Sequence, residues 1–131
     1  MPTTGRREIA VSGLPPPLSH YTDAVRFGNL LFVSGLTAHD AKSRLIGDDA
    51  ATQTGQILEN LRLVLDAVRA KPGDVLKVTV FLTDISDRSS INPVREKFFG
   101  EARPASTLVE VSRLALPGMK VEIEAIVGLK N

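Results

Sequence analysis

The feature that most restricts the fold is an amphipathic stretch over residues 50–70, followed closely by an alternating stretch over residues 75–83. In the first stretch, apolar residues recur every three or four positions, which predicts a helix with one apolar face; they are Ile57, Leu58, Leu61, Val64, Leu65 and Val68. Asp48 or Asp49 can cap its start, and Pro72 with Gly73 ends it. In the second stretch, apolar residues occupy every other position, as in a strand; they are Leu76, Val78, Val80 and Leu82. The sequence therefore predicts an α/β protein.

Three more strands and a second helix are predicted around this unit. The apolar run over residues 30–33 predicts a strand buried on both faces, and the polar stretch over residues 36–48 is predicted to be loop with room for one short strand. A helix is marked by Ile91, Val94, Phe98 and Phe99, with Ser89 or Ser90 as its cap, Pro93 in its first turn and Gly100 at its end. Residues 107–112 and 121–127 are predicted strands.

The open face of the predicted sheet carries apolar side chains. Two amphipathic helices can cover only one face of such a sheet, yet Phe81, Val109 and Val111 are predicted to point to the other. Because a large exposed apolar surface is usually covered by a partner, this pattern favours self-association.

Composition excludes several classes of function. A length of 131 residues predicts a single domain over residues 1–131. Sixteen Lys and Arg against fifteen Asp and Glu, scattered along the chain, disfavour nucleic-acid or membrane-surface binding. The absence of cysteine rules out a disulfide, a thiol nucleophile or a Cys-based metal site, and two histidines make a His-based metal site unexpected. With no signal-peptide core in the first ten residues, a cytoplasmic location is predicted.

Several blocks, in matching order and spacing, carry a family resemblance. They are residues 29–35 (NLLFVSG), 59–61 (ENL), 77–84 (KVTVFLTD), 92–100 (NPVREKFFG), 108–114 (LVEVSRL) and 121–126 (VEIEAI). Along nearly the whole chain the sequence resembles the Rid (YjgF) family. The resemblance implies a chorismate-mutase-like α/β fold, with a mixed sheet covered on one face by two helices, in a homotrimer with a central barrel and a cleft at each subunit interface. Members that are enzymes hydrolyse enamine or imine metabolites to a keto acid and ammonia without a metal or cofactor.

The family's cleft residues can be placed on this sequence. Tyr21 matches the tyrosine of the Gly-Pro-Tyr loop, and Ser34 and Gly35 match the Ser-Gly that ends the second family strand. Asn92 matches the asparagine of the second helix, and Glu122 matches the glutamate that orients the attacking water. The resemblance therefore implies a ligand site built from these residues, with Glu122 as the catalytic group.

The match fails at one decisive position. Active deaminases of the family read Pro-Ala-Arg where this chain has Ser106 after Pro-Ala, and their arginine clamps the substrate carboxylate. A serine hydroxyl cannot reproduce the two parallel hydrogen bonds of a guanidinium. The cations near enough in sequence to replace it are Arg103, Arg113 and His20. Ser19 with His20 in place of the usual Gly-Pro, and Leu36 in place of a frequent glutamine, also indicate a remodelled pocket.

Each candidate also has a simpler interpretation. Glu122 could be a solvated strand glutamate instead of a base with a raised pKa, and Ser106 is better explained as a small pocket residue than as a nucleophile. His20 could act as an acid or base near neutral pH or be an exposed loop histidine. Tyr21 could line the cleft or anchor its loop, and Asn92 could hold a ligand or cap its helix.

Three functions follow from these residues. The first is a deaminase-type hydrolase acting on an enamine or imine with altered substrate recognition. The second is a non-catalytic protein that binds a small metabolite in the same clefts. The third is an endoribonuclease, an activity attached to some family members, which the net charge of +1 and the lack of a basic stripe disfavour.

Overall fold

The protein folds as a six-stranded mixed sheet with two α-helices on one face. The structure is a computed structural model that describes residues 5–130. The elements are β1 (Arg6–Ile9), β2 (Ala24–Phe27), β3 (Leu30–Leu36), α1 (Ala50–Ala67), β4 (Val75–Leu82), α2 (Arg88–Phe99), β5 (Ala105–Glu110) and β6 (Val121–Gly128). The sheet order is β1-β2-β3-β6-β4-β5, in which only β4 and β5 pair in parallel. The predicted α/β class and the one-sided helical layer are confirmed.

The core lies between the helices and one face of the two central strands. Val78, Val80 and Leu82 of β4 and Val121 and Ile123 of β6 are at most 2 % exposed. They pack with the apolar face of α1, whose fully buried members include Ile57, Leu61 and Val64. Burying a side chain of this size stabilises the fold by about 1.5–3 kcal/mol, so this layer fixes β6 and the residues that β6 carries.

The opposite face of the sheet, called the open face below, exposes large apolar side chains. Leu30 and Phe32 of β3 are 40 % and 44 % exposed, so the prediction that this strand is buried on both faces is wrong for the single chain. Leu76 also lies outside the core, at 49 % exposure, because an irregularity between Val75 and Lys77 shifts the register of β4 at its start. Val109 is 38 % exposed on β5, as the predicted apolar open face requires.

The helices differ from prediction at their ends. Asp49 caps α1 by accepting a hydrogen bond from the Thr52 N–H at 2.7 Å, and the helix ends at Ala67, before the predicted Ala70. A 3₁₀ turn over Ile85–Asp87 leads directly into α2. The second helix therefore starts at Arg88. Within residues 5–130, neither helix has the length and hydropathy that crossing a membrane requires.

The early start of α2 overturns two details of its prediction. Ser89 and Ser90 lie inside the helix instead of capping it, and the residue at the N-cap is Asp87. Pro93 lies within the helix and beyond its first turn. Gly100 ends α2 with a φ of 64°, a conformation that glycine adopts without strain, so the predicted end is confirmed.

Gln53 fixes the start of β6. Its side chain is fully buried, and its amide nitrogen donates to the carbonyl oxygens of Gly47 and Gly118 at 3.1 and 2.9 Å. Its amide oxygen accepts from the Lys120 N–H at 2.8 Å. Because Lys120 immediately precedes β6, these bonds hold the strand that presents Glu122.

Candidate functional site

A pocket at the end of β3 gathers three of the residues that the resemblance implies. Tyr21, Ser34 and Gly35 line it together with residues of the proline-rich loop, among them Pro15 and Leu18. Tyr21 is 47 % exposed, and its hydroxyl oxygen accepts a hydrogen bond from the Leu18 N–H at 3.2 Å. Tyr21 thus anchors its own loop and also lines the pocket, and no acceptor within residues 5–130 takes its hydroxyl proton.

Ser34 is held by the neighbouring strand. Its hydroxyl donates to the carbonyl oxygen of Thr22 at 2.5 Å, and its backbone N–H donates to the carbonyl oxygen of Asp23 at 3.0 Å. The serine proton is therefore engaged, while its oxygen can still accept from a ligand. This suits Ser34 to orient a donor group and not to serve as a nucleophile.

Glu122 lies directly against Gly35. A methyl group added to Gly35 would overlap the carboxylate, since its carbon would lie 2.8 Å from Glu122 Cδ. The Glu122 side chain is half-buried, and burial raises the pKa of its carboxyl, with a further rise from the negative charge of Glu124. Glu124, by contrast, is exposed. Glu122 therefore differs from an ordinary solvated strand glutamate in both packing and pKa.

His39 is a pocket residue that the sequence did not single out. It is 7 % exposed, lines the Tyr21 pocket, and has Nδ1 2.8 Å from Thr37 Oγ1. Asn60 of α1 fixes this segment by donating to the carbonyl oxygens of Thr37 and His39 at 3.0 and 2.9 Å. The motif Glu59-Asn60-Leu61 thus contributes a structural asparagine behind the pocket.

A second group of candidates lies along α2 and the loop before β5. Asn92 and Arg103 line a groove there, together with Arg95, Glu96, Phe99 and Pro104. Ser106 is exposed on the adjoining strand, and its Oγ accepts a hydrogen bond from Arg95 Nη2 at 2.9 Å. The Arg95 side chain is half-buried, and this burial lowers the pKa of its guanidinium.

The cation beside Ser106 is therefore one that the sequence reasoning missed. Arg103 lines the groove, but the side-chain hydrogen bond to Ser106 within residues 5–130 comes from Arg95. His20 is exposed and is not among the pocket residues, while Arg113 lies in a separate depression beside Thr83. Helical spacing was the available signal, because Asn92 and Arg95 are three positions apart and so share one side of α2.

The two groups do not meet within one chain. Ser106 pairs with Val78 and Glu122 pairs with Phe81 on β4, the strand that lies between them. Val78 is buried under the helices, and successive side chains of a strand alternate, so Phe81 points to the open face. Ser106 and Glu122 consequently project from opposite faces of the sheet, and a site that uses both needs two chains.

This architecture is the YjgF type of chorismate-mutase-like fold. The crystal structure of the YjgF gene product of E. coli superimposes on this chain with a TM-score of 0.87 at 35 % identity, covering 95 % of this chain and 99 % of that one. Residues 12–129 match the family model described as Endoribonuclease L-PSP. The chain belongs to this family, which is also called the Rid/YjgF/RutC family.

Two further relatives are similar to this chain, one named by its family and one named as an enzyme. A RutC family protein of Pyrococcus horikoshii is 40 % identical over 119 residues, 90 % of this chain and 94 % of the relative. A 2-iminobutanoate/2-iminopropanoate deaminase of Salmonella typhimurium is 36 % identical over 123 residues, 92 % of this chain and 95 % of the relative. The family resemblance seen in the sequence blocks is thereby confirmed.

Proposed function

We propose that this protein hydrolyses small imines, or enamines in their imine form, to a carbonyl compound and ammonia, with Glu122 as the base. The observation that carries the proposal is the Glu122 carboxylate, half-buried against Gly35 with a raised pKa. Such a carboxylate is a better proton acceptor than a solvated one and can return the proton as an acid. The similarity to deaminases of 2-iminobutanoate and 2-iminopropanoate supports the same reaction class.

The chemistry needs one water and one carboxylate. Glu122 accepts a proton from the water as the water oxygen bonds to the imine carbon, and it returns this proton to the nitrogen as the C=N double bond becomes single. Glu122 then takes the hydroxyl proton of the resulting carbinolamine and passes it to the amine nitrogen, so that the C=O bond forms as the C–N bond breaks and ammonia leaves. The Tyr21 hydroxyl and the Ser34 oxygen lie beside Gly35 in the pocket and supply polar contacts that hold the substrate.

The complete site is assigned to the interface between subunits of a homotrimer. One subunit supplies Glu122, Tyr21 and Ser34, and its neighbour supplies Asn92 and Ser106. The separation of these groups to opposite faces of the sheet supports this arrangement. The exposed apolar side chains of the open face support it as well, since a subunit contact would remove them from water; they include Leu30, Phe32, Leu76 and Val109.

The test is imine decay in the presence of the purified protein. An amino-acid oxidase acting on alanine supplies the imino acid, and a spectroscopic trap reports how much remains. We expect this protein to shorten the lifetime of the imine in proportion to its concentration. If the imine decays at the buffer rate at every protein concentration, deamination is excluded for this substrate, and the non-catalytic binding function takes its place.

The rate should depend on the ionisation of Glu122. Only the carboxylate accepts a proton, so the rate falls as the pH drops through the pKa of Glu122, which lies above the ordinary 4.5. Glu124→Gln removes the neighbouring negative charge, the smaller of the two causes of the rise, so the acid limb of kcat should move to lower pH. An unchanged or upward-shifted limb in the variant would show that another group controls the rate.

A further inference from the structure

Arg95 is a half-buried cation that has no acidic partner among residues 5–130. None of the ion pairs up to 4.0 Å within residues 5–130 includes it. Its guanidinium instead donates to the neutral Ser106 hydroxyl at 2.9 Å, and burial alone lowers its pKa. Burying a guanidinium without a counter-charge is unfavourable, so this position has a physical cost that an anionic ligand would offset.

The surroundings of Arg95 suit a small anion. Asn92 and Arg103 line the same groove, so an amide and a second guanidinium accompany Arg95. The one acidic side chain among the lining residues is Glu96, which is exposed and is not within ion-pair distance of Arg95. A guanidinium has five N–H donors, and one bond to Ser106 leaves the others free for a carboxylate.

We infer that Arg95 binds the substrate carboxylate and that Ser106 positions it, which selects 2-imino acids over neutral imines. The inference rests on the proposed function and specifies its substrate class. The cation that binds the carboxylate thus comes from α2, whereas the arginine that the family resemblance implies at position 106 would lie on β5. Ser106 is suited to its part because its side chain is short and its oxygen accepts from Arg95 Nη2, fixing the guanidinium plane.

This assignment also predicts what an arginine at position 106 would do. In the Ser106→Arg variant a second guanidinium would stand where Ser106 Oγ now accepts from Arg95. The two like charges would repel, and Arg95 would lose its acceptor. Ser106→Arg is therefore expected to disturb the anion site of this protein until Arg95 is also replaced.

The experiment compares Arg95→Gln with Lys97→Gln, which removes the same charge from an exposed position of α2 outside the groove. Two substrates are used: the imino acid formed from alanine and the neutral imine that an amine oxidase forms from propylamine. For the imino acid, Arg95→Gln should raise KM by about 10- to 100-fold, the loss typical of a charge-assisted hydrogen-bonded pair, with a smaller change in kcat. For the neutral imine, Lys97→Gln should match the unchanged protein within about twofold, and Arg95→Gln should lose far less than it loses on the imino acid.

Two kinetic results would overturn the inference. One is an Arg95→Gln variant that behaves like Lys97→Gln on the imino acid. The other is an equal loss on both substrates, which would indicate a structural role for Arg95. In either case the natural protein still hydrolyses imines, so the proposed function would stand.

A binding measurement tests the role of Arg95 independently of catalysis. 2-Oxobutanoate, a product-like 2-oxo acid, is titrated into each protein and followed by calorimetry. The natural protein and Lys97→Gln should bind it with similar affinity, and Arg95→Gln about 10- to 100-fold more weakly. If the protein is inactive on every imine yet shows this pattern, the proposed function fails and the anion site stands; equal binding by all three proteins would refute the anion site.

Discussion

Replacing Glu122 with glutamine is expected to lower kcat for imine hydrolysis by about 10²- to 10⁴-fold, the contribution usual for a positioned acid or base. The amide keeps the size of the side chain and its packing against Gly35, but it cannot accept a proton from water. Steady-state imine decay, measured at a pH well above the acid limb, gives the ratio of the kcat values of the variant and the natural protein.

The matched control for this change is Glu124→Gln, two residues along the same strand. Glu124 is exposed, so its amide variant should keep a plateau kcat close to that of the natural protein. A Glu122→Gln variant that retains more than about a tenth of the natural kcat would contradict the assignment of Glu122 as the base.

Replacing Gly35 with alanine should be the second most damaging change. The added methyl group would overlap the Glu122 carboxylate and push it from its position, and a displacement of about 1 Å can cost on the order of 10²-fold in rate. Gly55→Ala is the control, because a methyl group there meets no atom within 4 Å. Imine decay and thermal unfolding are measured for both variants.

A double variant distinguishes displacement of the carboxylate from general damage. Glu122→Asp shortens the side chain by one methylene and makes room for the methyl group of Gly35→Ala. If the overlap is the cause, Glu122→Asp should lower the rate of imine decay much less in the Gly35→Ala variant than in the natural protein. The reason is that the effects of substitutions at residues in contact are not additive. Strict additivity of the two losses would show that Gly35 acts by some other route.

Periodicity predicted the central elements because their burial is one-sided. The apolar stripe of α1 and the alternation in β6 both reflect contact with one core, and both elements are present. β1 and β2 escaped prediction because each has four residues and carries charge, such as Glu8 in β1 and Arg26 in β2. Their positions are set by pairing with β3 through β2 and not by an apolar pattern of their own.

The site was less accessible to sequence reasoning than the fold. The family resemblance predicted Glu122, Tyr21 and Ser34 as site residues, but nothing in their spacing showed that Glu122 and Ser106 leave the sheet on opposite faces. Distance along the chain favoured Arg103, Arg113 and His20 as cations near Ser106. Arg95 is eleven residues away in sequence and becomes a neighbour only because α2 packs beside β5.

The central claim, a site divided between two subunits, is tested most directly by mixing two inactive variants. Glu122→Gln disables one half, and Ser106→Glu disables the other by placing a carboxylate beside Arg95. After unfolding and refolding together, a trimer with one site per interface should recover about a quarter of the natural activity, because one interface in four then combines two intact halves. If the mixture is no more active than the two variants refolded separately, both halves act within one chain and the account is wrong.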